Sequence, residues 1–238
     1  MNVALKTGLL AFGAFIKRDT SPKIVFYHDV GKTYTQMGTD AHLFWQHMAL
    51  LRSGDEVCFD DGFRGVWDVR EVFRARDLHP KIFLAVRLIG LPGYLNWQEC
   101  RVLKAEYGFA FQCHTWSHQT LVGPMIAESP QEERTESWYH RELVKSRERI
   151  ADELGPGVTE LCFPVGYYSE ALVQRCQAAG YDALYTSIPA GPQGGILRWR
   201  CLAQNLSPRA FRAVLNGGQA MFQAHYRKLH DWGRKEYV

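Results

Sequence analysis

The sequence lacks the features that mark most special classes of protein. It has no internal repeat, no low-complexity segment and no linker-like stretch that would divide its 238 residues into separate domains. Its 28 basic residues are nearly balanced by 25 acidic ones, and a net charge of +3 is too small to indicate a nucleic-acid partner. With 46% hydrophobic and 22% charged residues, the composition predicts one large globular domain.

Paired cysteine motifs are missing as well. The six cysteines form no CxxC pair, and most of them lie within apolar runs. Buried free thiols in a reducing compartment are therefore favoured over a set of disulfides. No A-x-A cleavage site follows the first apolar run, so we expect a cytoplasmic protein.

The N-terminal segment, residues 1–22, contains an apolar run that is too short to span a membrane. The run from Leu9 to Ile16 has eight residues, whereas about 20 are needed to cross a bilayer. One interpretation is a helix packed against the core of the domain. The other is an interfacial helix that contacts a membrane peripherally through residues 3–18, flanked by Lys6, Lys17 and Arg18. The weak polar face favours the first interpretation.

Short apolar strands alternate with helices along the rest of the chain. Strands are predicted at residues 23–30, 56–61, 81–86, 109–114, 158–163, 181–187 and 196–202. Helices are predicted at residues 39–51, 64–77, 96–108, 132–154, 169–180 and 207–217, with Thr39 as the N-cap of the first. The strands are apolar on both faces, which is typical of parallel strands covered by helices. No GxGxxG motif follows the first strand, so a (β/α) barrel is favoured over a Rossmann sheet.

Polar motifs stand where four of the predicted strands end. HDV follows the first strand, DDG the second, HTWSH the fourth and PVGYY the fifth. In a parallel barrel the loops after the strands share one face, so we expect Asp60, Asp61, His114 and His118 to converge there. The other histidines on helices or turns, at positions 42, 47, 79 and 140, are expected to be solvated.

The converging residues have the chemistry of a catalytic metal site. His114 and His118 are four residues apart, which on a helical turn directs both imidazoles the same way. With Asp61 they offer two nitrogens and one carboxylate and leave positions open for water. Asp60 is then available as a general base. Taken alone, DDG is most often an ordinary turn and HxxxH a surface pair, so the prediction depends on their combination.

The motifs CFDDG, HTWSH and FPVGYY, in this order, resemble the three main motifs of the polysaccharide deacetylases, which form the NodB-homology domain or carbohydrate esterase family 4. The pair Tyr27–His28 also occurs in one branch of that family. The resemblance covers residues 24–187 and, more loosely, the chain to Gly217. It implies a distorted (β/α) barrel of about seven parallel strands, one divalent metal ion, commonly zinc, and hydrolysis of an N-acetyl group on a sugar.

Transferred by position, the resemblance also assigns roles to single residues. The metal ligands and the base are the residues named above, Asp61, His114, His118 and Asp60. The substrate groove is formed by Pro164, Gly166 and Tyr167, and the backbone N–H of Tyr167 stabilises the oxyanion. Trp116 and Tyr168 are candidates for stacking on a sugar ring.

The sequence departs from the family pattern at two positions. Cys162 stands where the family often has an arginine that orients the catalytic aspartate. The family's Leu-x-His general acid has no counterpart after a strand, and His28, at the end of a neighbouring strand, is the first substitute.

The predicted domains are an N-terminal segment at 1–22, a catalytic domain at 23–217 and a C-terminal helical tail at 218–238. The predicted function is metal-dependent removal of N-acetyl groups from an amino sugar. The sugar is expected in a cell-envelope polysaccharide or its nucleotide-linked or lipid-linked precursor, as in O-antigen or capsule biosynthesis. Two alternatives stay open: a non-catalytic carbohydrate-binding module on a degenerate deacetylase fold, and an amide hydrolase that cleaves formyl or cyclic-imide groups.

Overall fold

Eight parallel strands form the main sheet of the computed structural model, which describes residues 3–16, 18–31, 38–123, 133–188, 195–222 and 228. In chain order these strands are β1 (Ile24–Tyr27), β4 (Glu56–Asp61), β5 (Lys81–Leu84), β6 (Ala110–Cys113), β7 (Glu160–Cys162), β8 (Ala183–Thr186), β9 (Leu197–Trp199) and β10 (Cys201–Leu202). Their order in the sheet is β10-β1-β4-β5-β6-β7-β8-β9. Two short strands, β2 (Val30–Gly31) and β3 (Thr39–Asp40), pair separately.

A single interrupted strand joins the two edges of this sheet. β9 pairs with β8, where Arg198 lies opposite Tyr185, and β10 pairs with β1, where Cys201 lies opposite Val25. Only Arg200 separates β9 from β10, so the run that the sequence predicts as one strand bridges both edges and gives a nearly closed barrel. Counted once, this run makes seven strands, and the predicted distorted (β/α) barrel is confirmed.

Helices cover the outer face of the barrel. The α-helices are α1 (Val3–Ile16), α2 (Ala41–Leu50), α3 (Gly65–Asp68), α4 (Glu71–Ala75), α5 (Trp97–Tyr107), α6 (Glu136–Tyr139), α7 (Ser146–Leu154), α8 (Glu170–Ala178) and α9 (Pro208–Leu215). A π-helical segment (His140–Lys145) joins α6 to α7, and 3₁₀ turns occur at Val86–Leu88, Pro164–Gly166 and Gly218–Phe222. No helix among the described residues is both long and apolar enough to cross a membrane.

Local capping signals predict several helix ends correctly. Asn96 forms a capping box with Glu99 at the start of α5, and Gly108 ends that helix in the left-handed conformation. At the start of α2 the predicted cap is wrong: the carboxylate of Asp40 accepts the N–H groups of His42 and Leu43. Thr39 is instead buried and paired in β3.

Apolar side chains pack on both sides of the strands, as the continuous apolar runs predicted. The larger cluster lies between the sheet and the helices, and a smaller one fills the barrel with Phe26, Cys58, Phe83, Cys162 and Tyr185 among its members. All six cysteines are unpaired and buried, as expected. The predicted tail at 218–238 begins with a 3₁₀ turn, and most of it lies outside the described residues.

One expectation about the surface histidines is wrong. His47 is fully buried and stacks on Phe211, with ring centroids 4.2 Å apart. Its Nε2–H donates to the carbonyl of Leu206 at 2.8 Å, so its Nδ1 accepts from the Tyr27 hydroxyl at 2.9 Å. Burial lowers the pKa of His47 to about 4, which keeps the ring neutral.

Candidate active site and metal centre

The polar motifs converge on one cavity at the carboxyl end of the strands, as expected for a parallel barrel. The cavity has a volume of about 500 Å³. Its lining includes six sequence-predicted residues, which are His28, Asp60, Asp61, His114, His118 and Gly166. Most of its other lining residues are apolar, among them Phe63, Leu88 and Tyr94. The cavity therefore combines a charged floor with apolar walls, which is the usual character of a small-molecule site.

The backbone at this end of the barrel adopts unusual conformations. Asp61, Thr115, His118 and Val165 all have φ between 62° and 69°, a region that residues other than glycine rarely occupy. Strained backbone of this kind clusters at functional sites because the surrounding structure is needed to hold it. Asp61 has one of these positive φ values, and its carboxylate faces His118, whereas that of Asp60 faces Arg200.

Asp61, His114 and His118 form a compact cluster that fits a divalent metal ion. Asp61 Oδ1 lies 3.0 Å from Nε2 of His118 and 3.4 Å from Nε2 of His114. Ligands about 2.1 Å from a tetrahedral zinc ion are about 3.4 Å from one another, so the spacing matches. The Nδ1–H of His114 donates to the carbonyl of Cys162 at 2.7 Å, which leaves Nε2 as the free lone pair for a metal.

The ionisation states of two of these ligands also suit a metal. Burial lowers the pKa of His114 to about 4, so its imidazole is neutral at physiological pH. Burial alone would raise the pKa of Asp61, but the charge and hydrogen bond of His118 outweigh it and hold that pKa below its usual range. A neutral imidazole and a carboxylate are the forms that coordinate a cation.

The loop that carries both histidines is held by Glu142 and not by a helical turn. Residues 114–118 form a bend, so the helical geometry assumed for HxxxH is wrong. The buried carboxylate of Glu142 accepts the backbone N–H groups of Trp116 and Ser117 at 3.0 and 2.8 Å. Thr115 Oγ1 accepts the N–H of His118 at 3.0 Å. Glu142 lies in the π-helical segment, and such segments often occur at functional sites.

Asp60 is paired with Arg200, the residue at the junction of β9 and β10. Arg200 Nη1 and Nη2 donate to the two carboxylate oxygens of Asp60 at 2.7 and 2.8 Å. Both side chains are buried, and the guanidinium lies 4.3 Å from the centroid of the Phe26 ring. Burial alone would raise the pKa of Asp60, but the charge and hydrogen bonds of Arg200 outweigh it and hold that pKa below its usual range. This bidentate pair was missed in the sequence because the motif pattern places the arginine elsewhere.

Cys162 occupies the position where the family often has that arginine, and it contacts the same guanidinium. Arg200 Nη2 donates to the sulfur of Cys162 at 2.7 Å, and this sulfur lies 3.9 Å from Asp60 Oδ2. A short side chain on β7 thus leaves space for the guanidinium of Arg200, which enters from the junction of β9 and β10.

A second cluster of potential metal ligands already has a cation beside it, the guanidinium of Arg200. Asp60, His114 and Cys162 also bring ligand atoms within 4.8 Å of one another. The guanidinium of Arg200 contacts two of these three residues, and a metal ion there would meet a fixed positive charge. The cluster of Asp61, His114 and His118 is the better metal site.

The predicted acid and substrate residues differ in their relation to the cavity. His28 lines it, and its Nδ1–H donates to Oε1 of Gln204 at 2.9 Å, which leaves Nε2 for a ligand. Gly166 also lines it, at a left-handed turn where a Cβ atom would lie 2.4 Å from Ser187 Oγ. Tyr168 stacks on Phe163.

Four predicted substrate residues are not among the described residues that line the cavity: Trp116, Pro164, Tyr167 and Tyr168. Their roles stay predictions.

Comparisons with known proteins agree on one family. A family model described as polysaccharide deacetylase matches residues 56–184, just over half of the chain. YxkH of Bacillus subtilis (strain 168), which bears the name of a polysaccharide deacetylase, is 22% identical over 202 residues, covering 74% of this chain and 68% of the relative.

Two solved structures share the fold. The deacetylase PplD of Streptococcus pyogenes, in complex with acetate, has a TM-score of 0.65 and 18% identity, and the match covers 79% of this chain and 95% of that one. IcaB from Ammonifex degensii has a TM-score of 0.69 and 15% identity, with 85% and 98% covered. At these identities the structures bear on the fold alone.

Proposed function

The chain belongs to the polysaccharide deacetylase family, and on that premise we propose that it hydrolyses the N-acetyl group of an amino sugar with one divalent metal ion. The two consecutive aspartates have different partners, and this separation supports the proposal most directly. Asp61 faces the two histidines at metal-ligand spacing, whereas Asp60 is held apart by Arg200 in the same cavity. A binding module without catalysis has no need of a separately held, ionised carboxylate.

Asp61, His114 and His118 would hold the metal, which we propose to be zinc because two imidazoles and one carboxylate suit it and leave open positions. When bound, the metal supplies Lewis-acid polarisation of the amide carbonyl and acidifies a water molecule. Asp60, kept ionised by Arg200, takes the proton of the attacking water as general base. Each carboxylate oxygen has a second lone pair, so the bidentate bond to Arg200 leaves Asp60 able to accept that proton.

His28 is the proposed general acid for the departing amine. Its ring lines the cavity, and Gln204 fixes the orientation in which Nε2 is free. The backbone N–H of Tyr167, just after the cavity-lining Gly166, is the proposed oxyanion donor. His28→Gln should retain the metal and lose most turnover.

The proposed substrate is an N-acetylated amino sugar of a cell-envelope polysaccharide or its precursor, acted on in the cytoplasm. The cavity is large enough for a sugar residue and has the apolar walls that a pyranose ring packs against. Six buried, unpaired cysteines support a reducing compartment.

The test separates metal binding from catalysis. After zinc reconstitution and desalting, we expect about one metal per chain by elemental analysis, lost in His118→Ala and Asp61→Ala. The exposed His42 gives a matched control, since His42→Ala should retain the metal. Asp60→Asn should keep the metal and lose nearly all release of acetate from N-acetylated glycans. Stoichiometric metal in none of the proteins would overturn the hydrolase mechanism and favour the binding module.

A further inference from the structure

Helix α1 presents an apolar face to the outside of the molecule. Phe15 is 86% exposed, and Leu5, Ile16 and Phe12 are between 54% and 57% exposed. Helical spacing places these four residues on one side of α1, while Leu10, on the opposite side, is 1% exposed. A surface helix normally has a polar outer face, so the apolar outer side of α1 indicates a partner there.

This face is fixed to the domain. The close approach of α1 depends on Gly218, where a Cβ atom would lie 2.3 Å from the carbonyl oxygen of Leu10. Just beyond the helix, the backbone N–H of Asp19 donates to the carbonyl of Asn216 at 3.1 Å. The apolar residues are therefore held outward by a packed helix.

The charges around α1 indicate the chemistry of the partner. Residues 1–18, which include α1, contain three basic residues and no acidic one. The whole chain has a net charge of +3, so residues 1–18 account for all of that excess. Helix α9, which packs against α1, carries the exposed Arg209 and Arg212. An apolar face beside basic residues fits an anionic lipid surface. A second copy docking the same face on itself would bring two basic N-terminal segments together, and their like charges would repel.

We propose that α1 lies in the interface of an anionic membrane and that the enzyme deacetylates a lipid-linked glycan there. The helix has 14 residues, about 21 Å, which suits a position in the plane of the interface. Gly218, which seats α1, is the neighbour of Gln219, a lining residue of the catalytic cavity. Membrane contact would thus hold the cavity next to a substrate carried on lipid. The substrate part of this inference rests on the proposed function.

Vesicle co-sedimentation of the full chain tests the membrane contact. Wild-type protein should bind phosphatidylglycerol-containing vesicles about tenfold or more better than phosphatidylcholine vesicles, and salt should weaken that binding. The double variant Phe12→Gln/Phe15→Gln should lose it, and Arg209→Gln/Arg212→Gln should weaken it. Trp45→Gln removes an aromatic residue that is 43% exposed on α2, outside this face, and should bind as wild type does.

Two outcomes would overturn the membrane contact. One is equal binding by wild type and the phenylalanine double variant, or binding by neither. The other is a concentration-dependent dimer that the double variant abolishes while vesicles are not bound, which would assign the face to a second copy.

Activity on two forms of one substrate tests the lipid-linked glycan. The probe is an N-acetylglucosamine oligomer, either free or coupled to a lipid in phosphatidylglycerol vesicles. Wild type and Phe12→Gln/Phe15→Gln should act equally on the free form, and only wild type should act well on the vesicle form. Equal action on both forms by both proteins would overturn the substrate assignment. Stoichiometric metal and vesicle binding without activity on either form would overturn the proposed function and leave the membrane contact standing.

Discussion

Removal of Arg200 is the sharpest test of how the site is built. Arg200→Ala deletes the only guanidinium that contacts Asp60 among the described residues and leaves that carboxylate 3% exposed without its partner. Breaking a buried ion pair from one side typically costs about 3–5 kcal/mol of folding stability. Arg198→Ala is the matched control, because Arg198 lies two residues away and bonds to the Tyr185 hydroxyl instead of Asp60.

The same change should alter catalysis in a pH-dependent way. Without the guanidinium, burial favours the neutral form of Asp60, so its pKa rises and a smaller fraction is ionised at neutral pH. A protonated carboxyl is not a base, and general bases contribute about 10²- to 10⁴-fold to rate. We therefore expect kcat/KM to fall by about 10²-fold or more near neutral pH, with the acidic limb of the pH profile shifted upward. The metal content should stay unchanged.

A double variant decides whether the guanidinium or the residue position matters. Cys162→Arg combined with Arg200→Ala moves the arginine to the position where the family often has it, beside the same carboxylate. The kcat/KM of this variant should be at least about tenfold higher than that of Arg200→Ala, and the acidic limb of its pH profile should return toward the wild-type position. Acetate release measured across pH, with metal analysis and denaturant unfolding, separates the effects. Arg200→Ala with the activity and pH profile of Arg198→Ala would refute the role of Arg200.

Two further predictions concern the supports of the site and of the fold. Glu142→Gln should weaken zinc binding about tenfold or more in a competition titration, because the loop of His114 loses its charged acceptor. The control Glu148→Gln changes an exposed carboxylate and should bind zinc as wild type does. Equal zinc affinities of the two variants would contradict this role of Glu142. The pKa of His47 is about 4 in the folded protein, whereas its usual value is 6.5, so the unfolded chain binds the proton more strongly. The free energy of unfolding should therefore fall by roughly 2–3 kcal/mol as pH falls from about 6.5 toward 4. Denaturant unfolding of His47→Gln should show a smaller loss between about pH 7 and 5 than wild type and His42→Gln, and an identical loss would contradict the assignment.

The sequence predicts the residues of the site better than the supports that hold them. Asp60, Asp61, His114 and His118 follow predicted strands, and parallel strands bring their carboxyl ends to one face, so their convergence could be inferred. The contact of Glu142 with the histidine loop could not, because Glu142 lies in a charged segment that reads as a solvated helix. Its burial depends on a π-helical segment, for which the sequence carries no clear signal.

Strand and helix positions were also predictable where the signals are local. Asn96 and Gly108 bound a helix through capping chemistry that depends only on neighbouring residues. The burial of His47 is different, because its partners Tyr27 and Leu206 are 20 and 159 residues away in the chain. Its helical spacing does not reveal them.

The position of Arg200 explains why a missing motif residue need not indicate a lost activity. An arginine on β7 would reach Asp60 from one side, whereas Arg200 reaches it from the strand that closes the barrel. Both routes place a guanidinium in the same small interior, and Coulomb attraction and bidentate geometry depend on where the charge lies. The presence of Cys162 is therefore an argument for degeneracy only if no other cation reaches Asp60. Because Arg200 does so at 2.7 and 2.8 Å, the departure at Cys162 is better read as an exchange of position, and the degenerate-module hypothesis loses one of its two supports.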